Sequence, residues 1–351
     1  MGVVRLPAFV DIHVHFREPG FPEKEDIESG VRAAAAGGYR AVSMMPNTSP
    51  AIDCPEALLA VDRRGRECGA GARRGISPVV AVFAASAMTL SQAGKELVDF
   101  DSMDSAGTLC REQTGHGVCG ITEDGKTLYD YRLMEKACEA AARLGLPVMS
   151  HAEPEADIIR RDIGLARKTG ARFHFQHISL AESVELVRAA KAEGLPVTCE
   201  TAPHYFALTD ADVPLVGANA KMNPPLRTER DRRAIIEGLA DGVIDCIATD
   251  HAPHEAAAKN QPFEEAANGV IGLETAFPVS YTVLVKGGFV SLDRLVQLMS
   301  TGPAGIIGLP PDPAAMIEAE LETPWVIDSS AFLSKGRNTP FDGMRVYGRI
   351  L

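Results

Sequence analysis

The chain comprises 351 residues (37.4 kDa), 46% of them apolar, with 35 basic against 47 acidic side chains and a formal charge of −12. That length suits one large catalytic domain or two ordinary ones, and the apolar content supplies a core rather than a disordered chain. The acidic balance excludes the basic surface that a nucleic-acid binder needs, and no apolar run approaches the roughly 18 residues of a membrane span.

Short apolar or β-branched runs predict strands at 8–15, 40–45, 79–84, 117–121, 147–151, 173–177, 196–201 and 245–249. Between them, helical spacing of apolar residues marks 24–37, 55–68, 129–144, 155–169, 181–193 and 229–239. Gly145 and Gly194 fall just past helix ends, where a left-handed residue is wanted. Eight β/α alternations predict an α/β fold, a (β/α)8 barrel. A doubly wound open sheet is the competitor, but no GxGxxG follows the first strand. The stretch 86–117 carries no clear pattern. The proline-rich end (GLPPDP, TPW, NTPFDG) reads as a small appendage, giving a catalytic barrel over 1–300 and an appendage packed on it over 301–351.

The start, MGVVRLPAFVDIHVH, has no secretory signal pattern, and Leu6 stands where a myristoylation site needs Ser or Thr. Cys54, Cys68, Cys110, Cys119, Cys138, Cys199 and Cys246 are scattered without CxxC spacing. They read as reduced, mostly buried thiols, and the expected location is the cytoplasm.

Histidines and acids gather at predicted strand ends. His13 and His15 are two apart on one strand and so share a face. His151 ends the fifth strand, His177 the sixth, and Asp250 follows the eighth. In a barrel these positions converge on one mouth, the face that holds active sites. Asp124, in the loop after strand four (GITEDGKT), adds a carboxylate able to bridge two cations; Glu123 and Lys126 are its rivals. The other histidines take plainer readings. His116 is expected on a surface loop, His174 facing away from His177 against a helix, and His204 near the mouth. His251 is expected to point away, with His254 swinging back over the site.

HVHFREPG (13–20), MPNT (ending at Thr48), SHAE (150–153), KMNPPLR (221–227), ATDHAPH (248–254) and GLETA (272–276) occur in one order, and together they resemble dihydroorotases of the amidohydrolase superfamily. The resemblance implies a zinc-dependent barrel interconverting N-carbamoyl-L-aspartate and (S)-dihydroorotate in pyrimidine synthesis, with one or two Zn2+ per subunit. His13, His15 and Asp250 would hold one ion, and His151 and His177 the other, with Asp124 bridging. Many relatives bridge with a carboxylated lysine on strand four, but GVCGIT has none. Another branch carries DDG in this loop, and EDG aligns with it. The small terminal β-sandwich of many members is expected to be reduced or absent.

In the implied chemistry Asp250 shuttles the proton between the attacking water and the ring nitrogen. Arg17 offers a planar fork for the substrate carboxylate; Asn47, Asn223 and His254 supply hydrogen bonds, and backbone near Gly272 meets the pyrimidine edge. The resemblance also implies a homodimer and admits aspartate transcarbamoylase as a partner. Two other functions compete. An allantoinase or hydantoinase would not need Arg17, and an inactive scaffold for the transcarbamoylase would be expected to lose metal ligands.

Overall fold

A computed structural model describes residues 2–72, 79–114 and 118–351. The chain starts with β1 (Val3–Pro7) and enters the barrel at β2 (Phe9–Val14), followed by α1 (Ile27–Ala36) and β3 (Tyr39–Met44). Then come α2 (Pro55–Ala72), β4 (Ala81–Ala87), α3 (Phe100–Thr114), β5 (Val118–Thr122), α4 (Tyr131–Leu144) and β6 (Val148–Ser150). The barrel continues through α5 (Glu155–Thr169), β7 (Phe173–Phe175), α6 (Ala181–Ala192), β8 (Val197–Thr201), α7 (Glu229–Asp241) and β9 (Cys246–Ile247).

Strands β2 to β9 pair in sequence order, and the pairings are parallel. The ring closes where Val14 bridges His251 and the His15 amide donates to the His251 carbonyl at 2.9 Å. This is the (β/α)8 barrel that the alternation predicts. Side chains alternate across the sheet: on β4, Val82 and Ala84 join the outer core beneath the helices, while Phe83 and Ala85 join the inner one. The inner cluster, with Val10, Ile12, Met149 and Cys246, is closed at one end by Ala304, Ile306 and Ile307.

Local signals explain the helix ends. Asp26 caps α1 and Thr228 caps α7, each in a reciprocal capping box, so amides without helical partners are satisfied. Gly145 ends α4 at φ 71°, where a side chain would be strained. Gly194 is also left-handed (φ 79°), one residue beyond the α6 cap Glu193.

The unpatterned stretch 86–117 contains the end of β4 and all of α3. His116 lies outside the described residues. The terminal β element is present in small form: β10 (Met316–Glu320) pairs antiparallel with β1 and with β13 (Arg349–Ile350), while β11 (Trp325–Val326) pairs with β12 (Arg345–Val346). Gly302–Ile306 packs against β2 and β9, and Ser334–Thr339 runs beside the barrel mouth. Among the described residues, no helix is long and apolar enough to cross a membrane.

Candidate functional site

Six side chains meet at the C-terminal ends of the barrel strands. His13 lies on β2 and His15 just beyond it; Asp124 follows β5, His151 follows β6, His177 follows β7 and Asp250 follows β9. Asp124 is central. Its Oδ1 lies 3.2 Å from His13 Nε2, 3.5 Å from His151 Nδ1 and 3.9 Å from His177 Nε2, and its Oδ2 lies 3.5 Å from His15 Nε2. Asp250 Oδ1 completes the other side, 2.9 Å from His15 Nε2 and 3.5 Å from His13 Nε2.

Backbone strain serves this convergence. Of five non-glycine residues with positive φ among the described residues, three are Arg17 (31°), His177 (34°) and Asp250 (48°). Such conformations cost energy and persist where the surrounding fold fixes them. At His177 the turn redirects the side chain. Because β7 stops at Phe175, His177 reaches the mouth although His174, three residues earlier, also faces the barrel interior. The expectation that His174 packs against a helix is therefore corrected. Phe173 and Phe175 take the helix-facing side, and His174 lies between Glu200 Oε2 (3.0 Å) and Thr198 Oγ1 (2.9 Å).

A buried polar layer orients the imidazoles. His13 donates from Nδ1 to Glu200 Oε1 at 2.6 Å, and His15 donates from Nδ1 to Asn47 Oδ1 at 3.0 Å. Both contacts turn Nε2 toward the centre, where that of His15 meets Asp250. The Asp124 amide donates to Thr122 Oγ1, and its carbonyl accepts from Gln92 Nε2.

The two sequence rivals of Asp124 point elsewhere. Glu123 accepts from the amides of Met88 and Thr89, and Lys126 Nζ donates to the Gln92 carbonyl at 2.8 Å.

The electrostatics favour positive charge at this point. Burial opposes ionisation of Asp124, but His13, His151 and His15 outweigh it and hold the carboxyl well below its usual range. Burial likewise disfavours protonated His151, yet Asp124 and Glu153 push it up to about 9. His177 goes the other way, to about 3, through burial and the neighbouring His151 and His13. Acids held ionised around clustered imidazoles form an anionic cage for cations.

A cavity of about 210 Å³ opens over this centre. His15, Arg17, Asn47, Asp124, His151, His177, Asn223, Asp250 and His254 all line it. Arg17 donates to the Pro253 carbonyl at 3.4 Å and, among the described residues, has no carboxylate within ion-pair distance. Glu18 is occupied instead by Arg64 and the Ile27 amide. Asn223 gives its amide to Glu153 at 2.9 Å. His254 donates from Nε2 to the Asn268 carbonyl at 2.7 Å, and its buried Nδ1 has no hydrogen-bond partner among the described residues.

Gly272 does not line the cavity. Its amide donates to His251 Nδ1 and its carbonyl accepts from Ala276, because this turn is used to hold His251. Ala252, Asn268 and Gly269 form that wall in its place, and sequence reasoning missed them. His251 points away from the centre toward Glu25 (3.3 Å), and His204 is buried near Asp250, pushed down to about 4 chiefly by burial.

The donor set suits a divalent metal. His13, His15 and Asp250 form one cluster of buried ligand atoms, and His13, Asp124 and His177 another. Among the described residues His13 Nε2 and His151 Nε2 are buried without a hydrogen-bond partner, as expected of ring nitrogens reserved for a cation.

A barrel with histidines and acids at its strand ends, and a carboxylate central to four imidazoles, has the architecture of a metal-dependent hydrolase. Residues 4–312 match the amidohydrolase family, and the chain belongs to that family. Its relatives include the dihydroorotase of Desulforapulum autotrophicum, 41% identical over 100% of this chain and 85% of the relative. The dihydroorotase of Bacillus subtilis is 39% identical over 99% of this chain and 84% of its own length. Among solved structures, L-hydantoinase (dihydropyrimidinase) from Arthrobacter aurescens shares the fold with a TM-score of 0.84 at 23% identity, covering 99% and 83% of the two chains. Dihydropyrimidinase from Brevibacillus agri NCHU1002 gives 0.83 at 19% identity, covering 100% and 83%.

Proposed function

We propose that the chain is a dihydroorotase, interconverting N-carbamoyl-L-aspartate and (S)-dihydroorotate in pyrimidine synthesis. The observation that carries this reading is Arg17, a cavity-lining guanidinium that lies beside a metal-ligand cluster and has no carboxylate within ion-pair distance among the described residues. A substrate carboxylate satisfies that charge, whereas hydantoin or allantoin has none to offer. The level of identity to the dihydroorotases supports the same reading.

His13, His15 and Asp250 would hold one Zn2+, with His151 and His177 holding a second and Asp124 shared between them. Bound there, zinc supplies a Lewis acid that acidifies water and polarises an amide carbonyl.

The chain's own residues do the rest. Arg17 pairs with the substrate carboxylate and fixes the ring in the cavity. Asn47, which already orients His15 through Oδ1, has its amide N–H groups to offer the same anion. His254 supplies Nδ1, and Asn223 its carbonyl oxygen, to the polar edge of the ring. In ring opening, Asp250 accepts the proton of the attacking water and passes it to the departing ring nitrogen. In ring closure the same carboxylate removes the ureido proton, as microscopic reversibility requires.

The catalytic unit in this reading is the barrel over 1–300, with 301–351 packed upon it, acting in the cytoplasm. The family resemblance implies a homodimer and admits aspartate transcarbamoylase as a partner. Purified protein reconstituted with zinc should close carbamoyl aspartate at mildly acid pH and open dihydroorotate at alkaline pH. Turnover of hydantoin or allantoin without dihydroorotate would refute the assignment. Failure to retain zinc after dialysis, with no turnover, would favour the scaffold role.

A further inference from the structure

The NTPFDG motif near the C-terminus has no part in the chemistry above, yet its first residue reaches the substrate cavity's wall. Asn338 is 2% exposed. Its Nδ2 donates to the Ala252 carbonyl at 2.9 Å and to the Gly269 carbonyl at 3.0 Å, and its Oδ1 accepts from the His254 amide at 3.1 Å. Ala252, His254 and Gly269 all line the cavity, so one side chain joins three points of a single wall. The backbone adds a fourth tie, since the Asn338 carbonyl accepts from Ile271 at 2.9 Å.

The wall needs such a tie. Residues 252–254 and 268–269 are loop backbone from two separate turns, joined outside the named strands by a His251–Val270 bridge and by the Ala252 amide donating to the Val270 carbonyl at 2.8 Å, so their side-by-side fit rests on few contacts. The segments approach so closely that a Cβ on Gly269 would lie 2.7 Å from Ala252 Cβ and 3.2 Å from His254 Nε2. Gly269 also has φ 127°, a conformation closed to ordinary side chains. Its carbonyl receives a second donor, Lys259 Nζ at 3.0 Å. His254 is in turn fixed by the Asn268 carbonyl on the facing turn. Removing the Asn338 amide takes a donor from the buried Ala252 carbonyl, leaves the Gly269 carbonyl to Lys259, and loosens the fit of the two turns.

We propose that Asn338 is a positioning residue for substrate binding, setting the wall that carries His254 and Gly269 beside Arg17, which itself donates to the Pro253 carbonyl of that wall. The C-terminal segment is then part of the binding site rather than a cover on the barrel. No metal ligand bonds to Asn338 among the described residues, so its effect should fall on substrate affinity and spare metal retention.

The inference rests on the dihydroorotase reading for the choice of substrate, and one experiment separates the two. Steady-state kinetics with dihydroorotate, zinc content and thermal midpoint are measured for wild type, Asn338→Asp, Gly336→Ala and Phe341→Leu. Asn338→Asp keeps the shape and the acceptor but removes both donors. Gly336→Ala crowds the same wall, because a Cβ there would lie 2.7 Å from Asn338 Oδ1 and 2.9 Å from both Ile271 Cγ2 and Pro253 Cβ. Phe341→Leu loosens the packing of the same segment without touching Asn338.

The expected result is a KM raised about tenfold or more in Asn338→Asp and raised in Gly336→Ala, with kcat within about threefold and zinc unchanged. Phe341→Leu should lower the thermal midpoint and leave KM alone. If Asn338→Asp does not fold, Gly336→Ala decides. An unchanged KM in the variant that decides, or a KM that rises as much in Phe341→Leu, overturns the inference. A wild type inactive on dihydroorotate overturns the functional reading instead.

Discussion

His13 and Glu200, 187 residues apart in sequence, meet inside the barrel with Nδ1 and Oε1 2.6 Å apart. The ionised carboxylate accepts the Nδ1 proton and so presents the Nε2 lone pair to the cluster formed with Asp124 and Asp250. Glu200→Gln keeps the volume and removes the charge. Zinc affinity, read by chelator competition, should fall by about 10- to 100-fold while the folded structure is retained. Unchanged affinity would show that Glu200 only fills the core.

Asp124 touches all four imidazoles, whereas Lys126 is spent on the Gln92 carbonyl. Asp124→Ala should therefore lose bound metal and turnover together, and Lys126→Ala should keep both. Metal analysis by mass spectrometry after dialysis checks this. A carboxylated Lys126 in the intact-protein mass would transfer the bridging role away from Asp124.

Arg17 carries the specificity claim. Arg17→Ala should raise KM for dihydroorotate by about 100-fold, the loss expected for a charge-assisted bidentate pair, with zinc content unchanged. Arg17→Lys should recover only part of that loss, because a point charge cannot match a planar fork. An unaltered KM in Arg17→Ala removes the residue from the binding site.

Glu274 provides a pH test at a carboxyl that is not itself one of the metal-ligand cluster. Burial, with a smaller contribution from nearby Glu25, pushes its carboxyl up to about 7, while the Leu333 and Ser334 amides pull the other way. A carboxyl raised on folding stabilises the protein below its unfolded value near 4.5, and that contribution is lost as pH rises through about 7. Relative to wild type, Glu274→Gln should therefore gain stability between pH 5 and pH 8, by on the order of 2 kcal/mol once partial exposure is discounted. A difference in thermal midpoint that does not change with pH contradicts this.

Much of the barrel was legible because its strands are short apolar runs set between amphipathic helices. The helix at Glu155–Thr169 has the limits that its periodicity predicts. Helix α3 was not legible: Phe100, Met103, Ala106 and Cys110 form its buried face, but Ser102, Ser105, Gly107 and Thr108 dilute the pattern. At the site, the spacing of His13 and His15 revealed their shared direction. The inward turn of His177 depends on a positive φ that strand parity cannot anticipate, and this is why His174 was misplaced. Glu200 and Asn338 gave no local signal either, since their partners are brought near only by closure of the barrel and return of the C-terminal segment. Gly272 failed as a cavity residue for a related reason, its backbone being committed to His251.

The most direct test of the metal centre is an anomalous difference map recorded at the zinc edge from crystals grown with zinc. Two peaks are predicted, one on either side of the Asp124 carboxylate, the first against His13, His15 and Asp250 and the second against His151 and His177. A map with no peak among these six side chains, or with density bridging through Lys126 in place of Asp124, would contradict the account.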